Sequence, residues 1–324
     1  MKPYYQDDFI TLYHGDCLES ISKIQGEIDA LVTDPPYFKV KDDEWDNQWD
    51  KAADFLAWMG GWVDEVKPTL APHASVWVFA SPAMTSSVER LLGERFKVLN
   101  SIRWVKEAGW HQKIELEAQR RFTTPWEGLI FAEQYGADST TKEGEWESVH
   151  EPIRLYLNAL RVEAGMTMQE VNKAWQVMRK SKGQMTGHWF SQSQWQMPTP
   201  ENYEWLQGVL GVRGREYEDL RREYEDLRRT FNAPNRQLLM DVWDFKTVPP
   251  YPGKHPAEKP LPLLEHMITT GSRAGDLILD PFAGSGSTLE AARTLGRKAV
   301  GIEKDEAYCE KIAERLSRKA VANA

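Results

Sequence analysis

Apolar positions in the first third of the chain fall into short runs separated by polar or helical spacers. "FITLYHGD" (9–16), "IDALVTDP" (28–35), "ASVWVFAS" (74–81), "NSIRWVK" (100–106) and "WEGLIFAEQ" (126–134) are rich in β-branched and aromatic residues and predict strands. Between the second and third, "AADFLAWMGGWVDEV" sets Phe55, Met59, Trp62 and Val66 on one face of a helix. This alternation predicts an α/β fold with a doubly wound, mainly parallel sheet. The pattern stops near residue 150. "IRLYLNALRVEAG", "MTMQEVNKAWQVMRK" and "PTPENYEWLQGVLG" then carry helical spacing, the last with Thr199 as N-cap and Pro200 at the first helical position.

The heptad "REYEDLR" occurs twice, at 215–221 and 222–228, and puts Tyr217, Leu220, Tyr224 and Leu227 at a/d spacing. Two heptads are too few for an independent coiled coil, so a helix packed on its own chain is expected rather than a dimer zipper. Strand signals resume in "GDLILDPFAGSGSTLEAARTLGRKAVGIEKDEAYCEKIAERL", a strand–turn–helix–strand–helix. The expected organisation is therefore an α/β body of 1–150 and 235–324, interrupted by a helical insertion over 151–234.

Composition changes this picture little. The 324 residues, 41% hydrophobic, suffice for one large α/β domain with an insertion. No run of eighteen apolar residues occurs and "MKPYYQDDFI" is no signal peptide, so neither a membrane nor secretion is expected. Cys17 and Cys309 make neither a disulfide framework nor a zinc site, which fits a reducing cytoplasm. Charge matters more for its distribution than for its sum of −9. Residues 1–70 hold 15 Asp/Glu against 6 Lys/Arg, whereas residues 153–200 hold six basic residues against Glu163 and Glu170, a net of +4. A local basic surface on an acidic body is compatible with a DNA groove.

"LILDPFAGSGSTLEAA" places a Gly-rich turn between a buried strand and a helix. Gly284 and Gly286 allow a ligand to approach the backbone beneath the helix N-terminus. "KAVGIEK" then delivers Glu303 at a strand tip, placed to accept hydrogen bonds from ribose hydroxyls. A nucleoside-containing cofactor follows, and NAD is the obvious competitor, although the third glycine of G-x-G-x-x-G is missing. Too few residues follow Gly286 to finish such a sheet, so its remaining strands must come from the N-terminal part.

"DPPY" (34–37) closes the second strand, and "DPFAGSGST" (280–288) opens the cofactor turn. With these two motifs in this order, around an intervening helical region, the chain resembles the β-class amino-group DNA methyltransferases. The resemblance covers residues 9–134 and 241–316 and implies S-adenosylmethionine as cofactor and double-stranded DNA as partner. It also implies a circularly permuted methyltransferase sheet and a base extracted from the duplex. Asp34, Pro35, Pro36 and Tyr37 become the catalytic candidates. An adenine amine is a poor nucleophile because its lone pair is delocalised into the ring. A carboxylate and a rigid prolyl carbonyl accepting its two hydrogens would turn the lone pair to the methyl donor, and Tyr37 offers a ring for stacking.

The resemblance further implies cofactor contacts from Asp16 and Cys17 in "HGDCLE", from His255 and Lys259 in "GKHPAEKP", and from Asp280, Phe282, Gly284, Ser285, Gly286 and Glu303. Two departures bear on the base pocket: Phe38 stands where an asparagine often follows the tyrosine, and Trp126 where a histidine often precedes the glutamate. Trp45 and Trp49 either close over DNA or pack beneath the next helix. The insertion faintly resembles a phage-repressor helix-turn-helix with "GHWFSQSQW" (187–195) facing the groove. Arg179, Lys180 and Lys182 are then phosphate contacts, and Gln192 and Gln194 base contacts. The bland alternative makes Trp189, Phe190 and Trp195 a small core.

Adenine methylation is the leading expectation. A cytosine 4-amino methyltransferase, whose motif more often begins with serine, is the runner-up. From another class stands a DNA-binding regulator with a dormant methylase fold; a homodimer and a partner restriction nuclease are both left open.

Overall fold

The computed structural model describes residues 2–40, 44–106, 115, 117, 119–135, 137, 150–180, 182–183, 186–192, 195–233 and 239–322. The chain divides into two compact units, one of residues 1–134 with 230–324, the other of residues 135–229.

Among the described residues of the first unit, nine strands form one sheet. They are β1 (Tyr5–Gln6), β2 (Ile10–His14), β3 (Ile28–Thr33), β4 (Leu70–Ala80), β5 (Lys97–Val105), β6 (Trp126–Glu133), β7 (Val242–Asp244), β8 (Leu277–Asp280) and β9 (Lys298–Glu303). Their order is β1-β2-β9-β8-β3-β4-β6-β5-β7. The C-terminal strands β8 and β9 thus enter the middle of the sheet, between β2 and β3. The five consecutive strands β2, β9, β8, β3 and β4 pair in parallel, β6 runs antiparallel to both its neighbours, and β1 runs antiparallel to β2. The permuted, mainly parallel sheet expected above is observed.

Along the central strands residues alternate between the two faces because strand side chains have a period of two. Ala30, Val32, Trp77, Phe79 and Ile278 enter one apolar cluster, while Leu31, Val76, Val78 and Leu279 enter the other. The first cluster is completed by α9 (Leu261–Gly271), α10 (Ser287–Thr294) and α11 (Glu306–Ala322), the second by α1 (Cys17–Ser20), α2 (Ala52–Val66) and α3 (Thr85–Gly93). Phe55, Met59, Trp62 and Val66, spaced as a helix face, are all buried. From β3 the chain crosses through α2 to β4 on one side, and from β8 through α10 to β9 on the other. The boundary between β3 and β8 is where the winding reverses, and at such a boundary the C-terminal strand ends splay to leave a crevice.

The second unit contains α4 (Glu151–Glu163), α5 (Met168–Arg179), α6 (Gly187–Phe190), α7 (Pro200–Leu210) and α8 (Tyr217–Leu227). Thr167 and Glu170 form a capping box on α5, and Thr199 caps α7 by accepting from the Asn202 N–H, with Pro200 in the first turn. Leu220 of the repeat is fully buried, and Tyr217, Tyr224 and Leu227 pack against the same core. The repeat therefore lays its seam on its own unit. Among its described residues "GHWFSQSQW" holds the single turn α6; Trp189, Phe190 and Trp195 are buried core side chains, while Gln192 is exposed and Gln194 lies outside the described residues. No described helix is long and apolar enough to cross a membrane.

Candidate active site

Parallel pairing of Ala30 with Ile278 and Leu31 with Leu279 brings the ends of β3 and β8 together, and with them Asp34 and Asp280. Both open onto one cavity of about 700 Å³.

On the β3 side, "DPPY" leaves the strand and is held by Asp46, whose Oδ1 accepts from the Tyr37 N–H at 2.7 Å while its carbonyl accepts from the Lys39 N–H at 2.8 Å. The Tyr37 hydroxyl donates to Asp34 Oδ1 at 2.7 Å and lies 3.3 Å from Glu127 Oε2. Lys259, in the loop before α9, contacts Asp34 Oδ2 and sits 3.3 Å from Glu127 Oε2; Lys106, just past β5, contacts Glu127 Oε1. Charges therefore alternate along the row Asp34, Lys259, Glu127, Lys106.

Burial pushes the Tyr37 phenol well above its usual value, and the carboxylates of Asp34 and Glu127 push it further, so it stays a donor. Burial alone would lower the Lys259 ammonium, but Asp34 and Glu127 hold it above the ordinary lysine range. Burial raises Asp34, and Glu127 adds to this against the pull of Lys259. Glu127 is likewise buried, yet Lys259 and Lys106 together bring it below its ordinary value. Asp34 shares one ammonium while Glu127 has two, so Asp34 is the more basic carboxylate.

On the β8 side, Asp280 Oδ1 accepts from Thr33 Oγ1 at 2.8 Å and from the Phe282 N–H at 3.2 Å, which fixes the turn. Gly284 and Gly286 have φ of +50° and +75°, a region that side chains avoid. An added Cβ at Gly284 would lie 3.3 Å from Cε1 of His255, and one at Gly286 2.9 Å from Cγ2 of Ile312. Glu303, at the tip of β9, accepts from the Gly284 N–H at 2.7 Å and from the Asp305 N–H at 2.8 Å. The Lys304 N–H is a third backbone donor to the same carboxylate.

The pattern of the DNA methylase family matches residues 28–315 of this chain. The chain belongs to that family. The methylase is 27% identical to type II methyltransferase M2.DpnII of Streptococcus pneumoniae, over 99% of this chain and 95% of that one. It is 24% identical to the DNA adenine methyltransferase YhdJ of Escherichia coli K12, over 94% and 82%. Among solved structures it resembles TTHA0409 of Thermus thermophilus complexed with S-adenosyl-L-methionine, at 19% identity and a TM-score of 0.51 over 95% and 93% of the chains. It also resembles the cytosine-N4-specific PvuII DNA methyltransferase, at 14% identity and a TM-score of 0.55 over 97% and 89%. These two speak to the fold.

In the methylase the cavity wall includes Asp16, Cys17, Asp34 through Tyr37, His255, Lys259, Asp280, Phe282, Gly284, Ser285 and Glu303. Gly286 stands behind it, against Ile312. Asp16 caps α1 and pairs with Lys304 at 3.0 Å; burial beside Asp16 pushes the Cys17 thiol up to about 12, so it stays protonated. Lys259 meets Asp34 and Glu127. His255 lies between Trp45, stacked at 5.9 Å, and Tyr308 at 4.5 Å. Trp49 packs on Phe55 and Trp58 of α2, and Phe38 also turns to Phe55, away from the cavity. Trp126 lies under the Arg103 guanidinium at 4.1 Å.

Glu127 and Lys106 were not among the named site candidates, although Glu127 is the glutamate that follows Trp126 in the base-pocket pattern; the signal for Lys106 is its place just past β5. Pairing of Trp104 with Glu127 brings them together.

Proposed function

We propose that this methylase moves the methyl group of S-adenosylmethionine onto the exocyclic amine of an adenine drawn out of double-stranded DNA in the cytoplasm. The observation that carries this is the meeting of Asp34 and the Gly284 turn on one cavity at a reversal of strand order. Its volume suits a nucleoside-sized ligand. A glycine cradle that a Cβ would crowd and a strand-tip carboxylate beside it fit the nucleoside of the cofactor. Phe282, Gly284, Ser285 and Glu303 would hold that nucleoside, with Asp16 and Cys17 beside its base. When bound, the cofactor supplies a methyl already activated on a sulfonium.

The protein then has to orient the amine. Asp34 accepts one amine hydrogen and the Pro35 carbonyl the other, which draws the nitrogen towards tetrahedral geometry with its lone pair free. Proline fixes its own φ and carries no competing N–H, so that carbonyl is held rigidly. Tyr37 stacks on the base. Asp34, the more basic of the two carboxylates, receives the proton that the nitrogen gives up. An initial aspartate in the motif and the adenine-methylating relative both favour adenine over cytosine.

Sequence reading belongs in this proposal to the helical unit. Arg179 and Lys180 at the end of α5 and nearby Lys182 are exposed, as is Gln192. Neutralising Arg179, Lys180 and Lys182 together should weaken DNA binding at all sequences and flatten its salt slope by about three at most. Replacing Gln192 should instead change preference among sites.

The deciding experiment is modification-sensitive sequencing of DNA from cells that express the methylase, with a purified reaction using labelled cofactor. N6-methyladenine at one short site is expected. Methyl on cytosine N4, or none, overturns the reading.

A further inference from the structure

Asp34 has two carboxylate oxygens, and both are already engaged: Oδ1 by the Tyr37 hydroxyl and Oδ2 by the Lys259 ammonium. An ammonium and an exocyclic amine offer a carboxylate the same thing, an N–H donor. Tyr37 and Lys259 each take one lone pair of Asp34, so the target amine has to crowd in beside one of these donors. The ammonium, with a second carboxylate in reach, is the one that can give way. Lys259 is 7% exposed, and a buried ammonium is costly without a partner. Glu127 provides a second carboxylate, with Oε2 3.3 Å from the same Nζ and Oε1 anchored by Lys106. Nζ also lies over the ring of Phe79, 4.9 Å from its centroid. Because Nζ already reaches both carboxylates, passing from one to the other is a short displacement that exposes no charge to an apolar wall.

We propose that Lys259 is the positioning residue of the amine site: it holds Asp34 in place of the target amine in the free enzyme and passes to Glu127 when the amine arrives. This rests on the adenine-methylating reading above and assigns Lys259 to the base rather than to the cofactor. It also explains why two carboxylates and two lysines share one corner of the cavity. Glu127 must be able to take a second ammonium when Asp34 releases it.

The charged and titratable groups that face Asp34 are Lys259, Glu127 and Tyr37, with Asp280 on the adjoining strand and Lys106 behind Glu127. Lys259 draws the Asp34 pKa down, whereas burial and Glu127 draw it up. Asp34 must be ionised to accept an amine hydrogen, so the acid limb of the rate profile reports on both neighbours with opposite sign.

Single-turnover methylation of duplex DNA against pH, with cofactor binding by calorimetry, tests this on the wild type, K259M, K259R and E127Q. K259M should move the acid limb up by about one pH unit or more while cofactor affinity stays within about threefold. E127Q should move the limb down and slow turnover about tenfold, because Lys259 then has nowhere else to go. K259R should keep the limb but lose about tenfold in turnover, since a planar fork bridging both carboxylates does not release Asp34. A K259M enzyme with an unmoved limb and cofactor affinity down tenfold or more would make Lys259 a cofactor ligand and overturn the proposal. So would wild-type turnover in both E127Q and K259R, which decide the matter if K259M does not fold. The wild-type product is identified in the same assay. Methyl on cytosine or no methyl at all would sink the adenine reading itself, whereas normal N6 methylation with insensitive variants would sink only the role of Lys259.

Discussion

Strands β3 and β8 lie side by side and end in the same dipeptide, Asp34-Pro35 and Asp280-Pro281, yet the two carboxylates are used differently. Asp280 is 2% exposed and spends its oxygens on Thr33 Oγ1, the Phe282 N–H and the Thr288 side chain, all neighbours that shape the turn. Asp34 faces the cavity and, among the described residues, bonds to side chains, one of them a lysine from 225 residues away. Thr33 links the two, since it precedes Asp34 and donates to Asp280. An Asp-Pro strand end marks a place where chemistry can sit. Whether it becomes a reagent or a clamp depends on what packs against it.

The sharpest way to break this contrast is to remove each carboxylate in turn. Asp34→Ala should cut methyl transfer by at least about 10³-fold while cofactor binding changes little, because in the proposed role the group orients the amine only in the reacting complex. Near-normal turnover in that variant would refute the assignment. Gly284→Val forces a β-branched residue to φ near +50° and crowds His255. It should weaken cofactor binding about a hundredfold by calorimetry, equivalent to about 3 kcal/mol of strain and contact. Unchanged affinity would remove the turn from the cofactor site.

Asp280→Asn should show the opposite profile to Asp34→Ala. Burial raises Asp280 to about 6 from an ordinary 3.8. The folded state therefore holds a proton that the unfolded chain has released between about pH 4 and 6, and stability falls as pH rises through that window. The loss amounts to about 3 kcal/mol by linkage. An asparagine side chain cannot ionise, so this slope should vanish in urea titrations at about pH 4–6.5 while methyl transfer stays within about tenfold. Parallel stability curves for variant and wild type would contradict the clamp. The smallest effect belongs to Thr33→Val, which removes a donor to Asp280 without changing shape. It should cost about 1–2 kcal/mol of stability, more above about pH 6 than below, with turnover altered only a few-fold. A loss of turnover like that of Asp34→Ala would mean that Thr33 acts on Asp34 instead.

Much of this molecule follows from chemistry between residues close in the chain. Period-two burial of Leu31 and Val32, the helix face of Phe55, Met59 and Trp62, the Thr199 cap and the positive-φ glycines at 284 and 286 depend on near neighbours and backbone sterics. Those features were legible, and so were "DPPY" and the Gly-rich turn as candidate halves of one site. Other decisions were made across space. That β8 pairs with β3, that Lys259 sits on Asp34, and that the pairing of β5 with β6 sets Lys106 against Glu127 depend on which strands meet and in what register. Local propensity carries no record of those choices. Likewise the aromatic residues of "GHWFSQSQW" were equally suited to a groove or a core until the helices of their own unit closed over them. Apolar burial is non-directional, so the sequence could say that Trp189, Phe190 and Trp195 needed a partner surface, and only the tertiary structure could say which one.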